Sequence, residues 1–272
     1  MQSILLKLLF TTLFFTSIAS AKTDLENYLS EIEISSPQSG MDCVDCIYVI
    51  NLENRPANWL EIKDAFEVYG IQPNRMNAIN GWFLSEEDKQ TLSGNYPIRL
   101  RGGQMGCMLS HLSILNDAKK KGYDIVWVCE DDIKICENPH RISSLIETLS
   151  KIDNEWDIFY TDPNTKNSDG VIIPSLSSDF RPDVPHKRVS YYRKRFTVGP
   201  EILKINQRFG CYSMLISKRG IEKILNYFNT MYFWTAYDID IHYIPYIRQY
   251  CIKKDFVTVN QKEQSDTTDF IE

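Results

Sequence analysis

The apolar positions of this chain fall into two rhythms that alternate from one segment to the next. Cys46-Ile47-Tyr48-Val49-Ile50-Asn51-Leu52 is a short apolar run and predicts a buried strand. From Ala57 to Tyr69 the apolar residues Trp59, Ile62, Ala65, Phe66 and Tyr69 keep helical spacing, and Gly70 ends them. Arg75 to Asn80 predicts a second strand. Strand, helix and strand at this spacing make a βαβ unit of a parallel sheet. Ser110 to Lys121 predicts another helix, with Leu112, Leu115 and Ala118 on one face and Gly122 as its stop. Asp124 to Cys129 is apolar enough only for a central strand, and it runs straight into Glu130-Asp131-Asp132. A helix over Ile142 to Leu149, strands over Trp156 to Tyr160 and Cys211 to Ile216, a helix over Lys218 to Phe228 and a last strand over Phe256 to Val259 complete the pattern.

Two stretches do not fit it. Residues 161–200 carry prolines at 163, 174, 182, 185 and 200 and a basic cluster, Arg188, Arg193, Lys194 and Arg195, and read as a functional loop. The basic stretch either meets an anionic ligand or is simply solvated. At the start, Lys7, the apolar stretch Leu8 to Ile18 and Ala19-Ser20-Ala21 read as a secretory signal peptide. The run is shorter than the roughly 20 residues of a spanning helix, though an uncleaved signal anchor is the alternative. The domain plan is therefore a signal segment at 1–21, a linker at 22–42 and one folded domain at 43–272. The expected route is secretory, to a bacterial periplasm or envelope or to an ER lumen, and peripheral membrane association stays open.

A formal charge of -6 argues against a nucleic-acid surface. An anionic ligand would need local positive charge or a metal ion. Among seven cysteines, Cys43 and Cys46 form a lone CxxC, read as a local disulfide or two free thiols, while Cys129 and Cys211 read as small core residues.

Three adjacent acids at the end of a buried strand repel one another unless a cation joins them. Ligands of open α/β sheets bind at the carboxyl ends of strands. Alternation puts Glu130 and Asp132 on one side and Asp131 on the other. A hard divalent ion, Mn²⁺ or Mg²⁺, suits such oxygens. A solvated acidic turn is the plain alternative. Gly102, Gly103 and Gly106 read as a turn before a helix that Ser110 caps, and the amides there would favour a phosphate.

Five segments occur in the order found in glycosyltransferase family 25, which the chain resembles over roughly residues 46–266. They are Tyr48-Val49-Ile50-Asn51-Leu52 with Arg55, Arg75-Met76-Asn77-Ala78-Ile79-Asn80-Gly81, Gly106-Cys107-Met108-Leu109-Ser110-His111, Trp127-Val128-Cys129-Glu130-Asp131-Asp132 and Tyr212 to Gly220. The resemblance implies a GT-A, Rossmann-like nucleotide-sugar transferase fold with a mostly parallel central sheet flanked by helices. It implies inverting transfer of a hexose, commonly galactose from UDP-galactose, onto a glycan or glycolipid such as lipopolysaccharide. A secreted, inactive carbohydrate- or nucleotide-sugar-binding protein of the same fold is the alternative.

Carried onto this chain, the resemblance puts Asn51, Arg55, Ala78, Gly106, Ser110, His111, Glu130 and Asp131 around the donor. Asp132, Glu130 and His242 become the metal ligands, and His111 reads as an anchoring histidine. The base that takes the acceptor proton is sought among Asp240, Asp238 and Asp162. In departure from the family, Asn58-Trp59 occupies the place of a second arginine and Gln104 that of an acid.

Overall fold

In a computed structural model describing residues 25–36, 38–166, 169–173 and 181–260, the first strand–helix–strand unit comprises β1 (Cys46–Asn51), α1 (Pro56–Glu67) and β2 (Asn74–Asn77). The chain continues through α2 (Glu86–Ser93), α3 (Gly102–Lys121), β3 (Ile125–Glu130), β4 (Ile133–Ile135), α4 (Arg141–Ile152) and β5 (Ile158–Tyr160). There follow α5 (Val189–Tyr192), β6 (Arg195–Thr197), β7 (Ile202–Ile205), β8 (Ser213–Ser217), α6 (Lys218–Phe228), α7 (Tyr237–Asp240), β9 (Gln249–Ile252) and β10 (Val257–Val259). The expected signal segment 1–21 lies outside the described residues, as do 22–24 of the expected linker. Described parts of that linker touch the domain: Leu25 is buried, and the Ser30 N–H donates to Ser113 Oγ of α3 at 3.0 Å. Among the described residues, no helix is long and apolar enough to cross a membrane.

Eight strands form one sheet in the order β2-β1-β3-β8-β5-β9-β7-β6, while β4 and β10 pair separately. Pairings β1–β2, β1–β3 and β5–β9 are parallel; those of β8 with β3 and β5, and of β7 with β9 and β6, are antiparallel. Only β7 and β8 run against the other six, so the sheet is mixed with most strands pointing one way. Strand alternation divides the interior into two layers. Tyr48, Val126, Val128 and Met214 face α3 and α6, whereas Ile47, Val49, Trp127 and Leu215 face α1 and α4. Both faces are covered, which is why β1 and β3 read as continuous apolar runs rather than alternating ones.

The reversed strand β8 joins two distant parts of the chain. Its start lies beside the end of β3, where the Glu130 N–H donates to the Tyr212 carbonyl at 2.8 Å. Cys211 and Glu130 are thereby brought together.

The start of α3 departs from the sequence expectation by two turns. The helix begins at Gly102, and Ser110 lies inside it, donating from Oγ to the Gly106 carbonyl at 2.8 Å and accepting from the Ile79 N–H at 2.8 Å. The glycines are there for close approach, not for a turn. A Cβ on Gly81 would stand 2.1 Å from the Gly102 carbonyl oxygen, and one on Gly106 2.3 Å from that of Ile79. Gly106→Ala should therefore push α3 off the 79–81 segment. We expect a stability loss of about 3 kcal/mol or more, read as a lowered thermal midpoint, against under ~1 kcal/mol for Gly122→Asn, whose Cβ has open space.

Candidate active site at the carboxyl ends of β1 and β3

The chain leaves β1 for β2 on one side and returns at β3 on the other, so a crevice opens beyond the carboxyl ends of these strands. It holds a cleft of about 670 Å³ lined by Leu52, Arg55, Ala78, Trp82, Ser110 and all three acids of the triplet, among others. β3 ends at Glu130, and Asp131-Asp132 make the turn into β4. The backbone of that turn is pinned by the Asn260 N–H, which donates to the Asp132 carbonyl at 2.6 Å.

The three carboxylates point to three different surroundings. Asp131 accepts from Asn51 Nδ2 at 2.6 Å and faces Arg55, whose Nη1 stands 3.8 Å away. Asn51 is itself fixed, accepting from Arg75 Nε at 2.8 Å and donating to the Arg55 carbonyl at 2.8 Å. Glu130 turns the other way, where its Oε1 accepts from the Cys211 thiol at 3.2 Å and lies 3.4 Å from His111 Nε2. Burial works to raise the Glu130 carboxyl, but the hydrogen bond and charge of His111 outweigh it and hold it below the usual range. His111 is pushed up to about 9: its burial opposes this, and Cys107 and Glu130 overcome it. The imidazole also stacks on Tyr237 at 4.6 Å between ring centres.

Asp132 has no such support. Its Oδ1 is buried without a hydrogen-bond partner. Burial, then the charges of Glu130 and Asp131, drives its carboxyl well above the ordinary carboxylate range. A buried carboxylate oxygen with no donor beside two other acids is what a cation site looks like when only the protein is considered.

A second cleft, of about 990 Å³, adjoins the first and shares Cys107, Glu130 and Asp132 with it. Its far wall holds Tyr212, Tyr237 and Asp238. Asp238 Oδ2 accepts from the Gly210 N–H at 2.7 Å, and burial is the chief reason its carboxyl is raised. It therefore binds a proton more readily than an exposed aspartate.

The other three expected site residues are held elsewhere. Asp240 is fully buried in an ion pair, both oxygens accepting from Arg181 Nη1 at 2.7 and 2.6 Å, with Tyr227 Oη donating to Oδ1 at 3.0 Å. Asp162 is buried against Arg208 and accepts from Tyr212 Oη at 2.5 Å and Thr258 Oγ1 at 2.9 Å. Both are fully buried, out of reach of an acceptor hydroxyl. His242 donates from Nε2 to the Arg208 carbonyl at 2.9 Å and accepts at Nδ1 from Gln249 at 2.8 Å, so both ring nitrogens are spoken for. Burial above all pushes its pKa down to about 4. It is a neutral packing residue rather than a metal ligand. Gly106 shapes the cleft floor through α3, and Ser110 ties that floor to Ile79.

One grouping was invisible in the sequence. Cys107, His111, Glu130 and Cys211 bring one potential ligand atom each to within 4.8 Å of one another, a group that could hold a metal ion. Cys107 and His111 are one helical turn apart, a local signal, but Cys211 joins them only through the reversed β8. It is thus more than the core filler its apolar run suggests. All described cysteines are free thiols, Cys43 and Cys46 included.

Comparison with known proteins agrees with the five sequence segments. The family model "Glycosyltransferase family 25 (LPS biosynthesis protein)" matches residues 44–241. A glycosyltransferase 25 family member of Aedes aegypti is 24% identical over 217 residues, covering 75% of this chain and 31% of the relative. One of Drosophila melanogaster is 25% identical, covering 56% and 28%. The human inactive glycosyltransferase 25 family member 3 is 29% identical over 126 residues, covering 43% and 21%. The matched region thus spans under a third of these relatives' lengths. With its family model matched from β1 to beyond α7, the chain belongs to glycosyltransferase family 25.

Proposed function

We propose that the chain transfers a hexose, with inversion, from a nucleotide diphosphate donor to a glycan or glycolipid acceptor. The observation that carries this reading is the Asp132 carboxylate, with its Oδ1 buried and unpartnered, at the boundary of two adjoining clefts. The first cleft would take the donor. Arg55 and the Asn51-held Asp131 lie at the end suited to its diphosphate and ribose, and Trp82 and Ala78 offer apolar surface to its base. Asp132 would hold a divalent cation, Mn²⁺ or Mg²⁺, whose charge offsets that of the leaving diphosphate. The second cleft would take the acceptor, with Asp238 accepting the hydroxyl proton as its oxygen attacks the anomeric carbon from the face opposite the diphosphate.

UDP-galactose as donor and an envelope glycan such as lipopolysaccharide as acceptor are the specific forms of this proposal, reached by a secretory route through the N-terminal segment. Mammalian relatives named inactive favour a second reading, a protein that binds the donor and does not turn it over. UDP release from a panel of UDP-sugars, with and without Mn²⁺, separates the two. Cation-dependent release supports transfer; cation-dependent UDP binding with no release supports the binding protein; release indifferent to cations sinks the assignment of Asp132.

Asp238→Asn gives a finer test. Turnover should fall by roughly 10²–10⁴-fold, the range for loss of a general base. Mn²⁺-dependent UDP binding, measured by calorimetry, should stay within about twofold because Asp238 lines only the second cleft. Turnover near wild type would remove Asp238 from the mechanism.

A further inference from the structure

We propose that Cys107, His111, Glu130 and Cys211 form a closed structural zinc site, distinct from the cation site at Asp132. The donor set comes first. Two thiols, an imidazole and a carboxylate match the sulfur, nitrogen and oxygen ligands of tetrahedral Zn²⁺. Mn²⁺ and Mg²⁺ favour all-oxygen shells, so the thiols select against the ion expected at Asp132.

Distances agree. Tetrahedral bonds of about 2.0–2.3 Å separate neighbouring ligand atoms by about 3.3–3.8 Å. Glu130 Oε1 already lies 3.2 Å from Cys211 Sγ and 3.4 Å from His111 Nε2, and the whole set falls within 4.8 Å. Small side-chain rotations close the rest.

The frame is fixed. Cys107 and His111 are four residues apart on one face of the 20-residue helix α3. Glu130 ends β3, and Cys211 is held beside it by the Glu130 N–H bond to Tyr212. His111 and Cys211 are buried, 1% and 6% exposed. His111 turns Nε2 toward the group, 3.4 Å from Glu130 Oε1, and its stack on Tyr237 fixes the plane of the ring.

With all four positions filled by protein, the ion has no open place for substrate and acts as a clasp. It would join α3, β3 and the entry to β8 at the wall between the two clefts. On binding, the thiols give up their protons to solvent and the ion takes both sulfurs as thiolates. Glu130 then belongs to this clasp rather than to the cation at Asp132, the only point at which the zinc site touches the transferase reading.

The test uses the full chain purified in reducing buffer without chelator. Elemental analysis should find about one zinc per chain after gel filtration, and none of this needs a glycosyl donor. Replacing zinc by Co²⁺ should give a thiolate-to-cobalt charge-transfer band in the near ultraviolet. Cys107→Ser and Cys211→Ser should each cut that band to about half or less and weaken zinc binding by about 100-fold, and the double change should abolish the band, while Asp132→Asn and Cys129→Ser should retain it. A wild-type chain that takes up neither zinc nor cobalt overturns the site even if the variants fail to fold. So does a Cys107–Cys211 disulfide found by peptide mapping of the freshly isolated protein. Loss of zinc in Asp132→Asn would instead mean one shared oxygen site and would equally overturn it. UDP release scored in the same preparations keeps the fate of the transferase reading separate.

Discussion

Asp132→Asn should abolish cation-dependent sugar transfer and at the same time make the cation-free protein more stable. Both effects stem from one carboxylate. In the free protein its Oδ1 is buried and unmatched, with Glu130 and Asp131 adjacent, and the ionised form is disfavoured by burial first and by those charges second. An asparagine keeps the shape and removes the charge. Relief of that repulsion by about 1 kcal/mol would raise the thermal midpoint by roughly 2–4 °C in a domain of this size. The same change removes the ligand that a cation and its diphosphate need. A cation at a leaving diphosphate contributes several kcal/mol to the transition state, so turnover should drop by about 10³-fold or more. Melting curves with and without Mn²⁺ check both halves: wild type should gain stability from the ion, and Asp132→Asn should start higher and gain almost nothing. A variant less stable than wild type without cation would show that Asp132 supports the fold instead of opposing it. One with wild-type turnover would end its role in transfer.

That trade explains which parts of the site could be read from the chain alone. The apolar run into Glu130-Asp131-Asp132 was legible because a strand buried on both faces has no polar positions, so its end is abrupt. Alternation grouped Glu130 with Asp132, but Asp131 and Asp132 lie in the turn after β3, so the three acids take three different surroundings. Asp238 and Asp240 part company for a related reason. Alternation would aim both the same way on a strand, but Tyr237–Asp240 is a helical turn, where residues two apart point about 200° from each other. One therefore meets the Gly210 amide at the cleft and the other meets buried Arg181. The glycines of α3 misled in the opposite sense. Glycine reads as a breaker, and nothing local says that Gly81 and Gly106 are there so that two backbones can touch. Strands β6 and β7, of three and four residues around Pro200, are too short to show a period at all. The meeting of Cys211 with Cys107 and His111 depends on an antiparallel β8 between β3 and β5, a topological fact with no local signature.

Breaking the buried pair at Asp240 should cost more stability than any other single change at these acids. Asp240→Asn leaves Arg181, which is fully buried, without its counter-charge, and loss of one partner of such a pair costs about 3–5 kcal/mol. The pair itself is a poor stabiliser. Burial raises the Asp240 carboxyl above its ordinary range even though Arg181 and Tyr227 pull it down, so desolvation exceeds the attraction. A raised carboxyl gives stability that is present below the unfolded value and lost as pH climbs through the folded one, so this group favours the fold most at acid pH. Two results are expected. The single change should lower the thermal midpoint by at least about 6 °C. The double change Asp240→Leu with Arg181→Met, which removes both charges and refills the space, should recover most of that loss or exceed wild type. Equal destabilisation by single and double changes would mean that packing, not charge, is what Asp240 supplies. Asp238, two residues away, should behave in reverse: Asp238→Asn removes a burial-raised carboxyl on which the charge of Arg208 acts only as a minor pull, so it should leave stability intact and cost turnover instead. The pair of variants thus separates the aspartate that holds the fold from the one placed to take a proton.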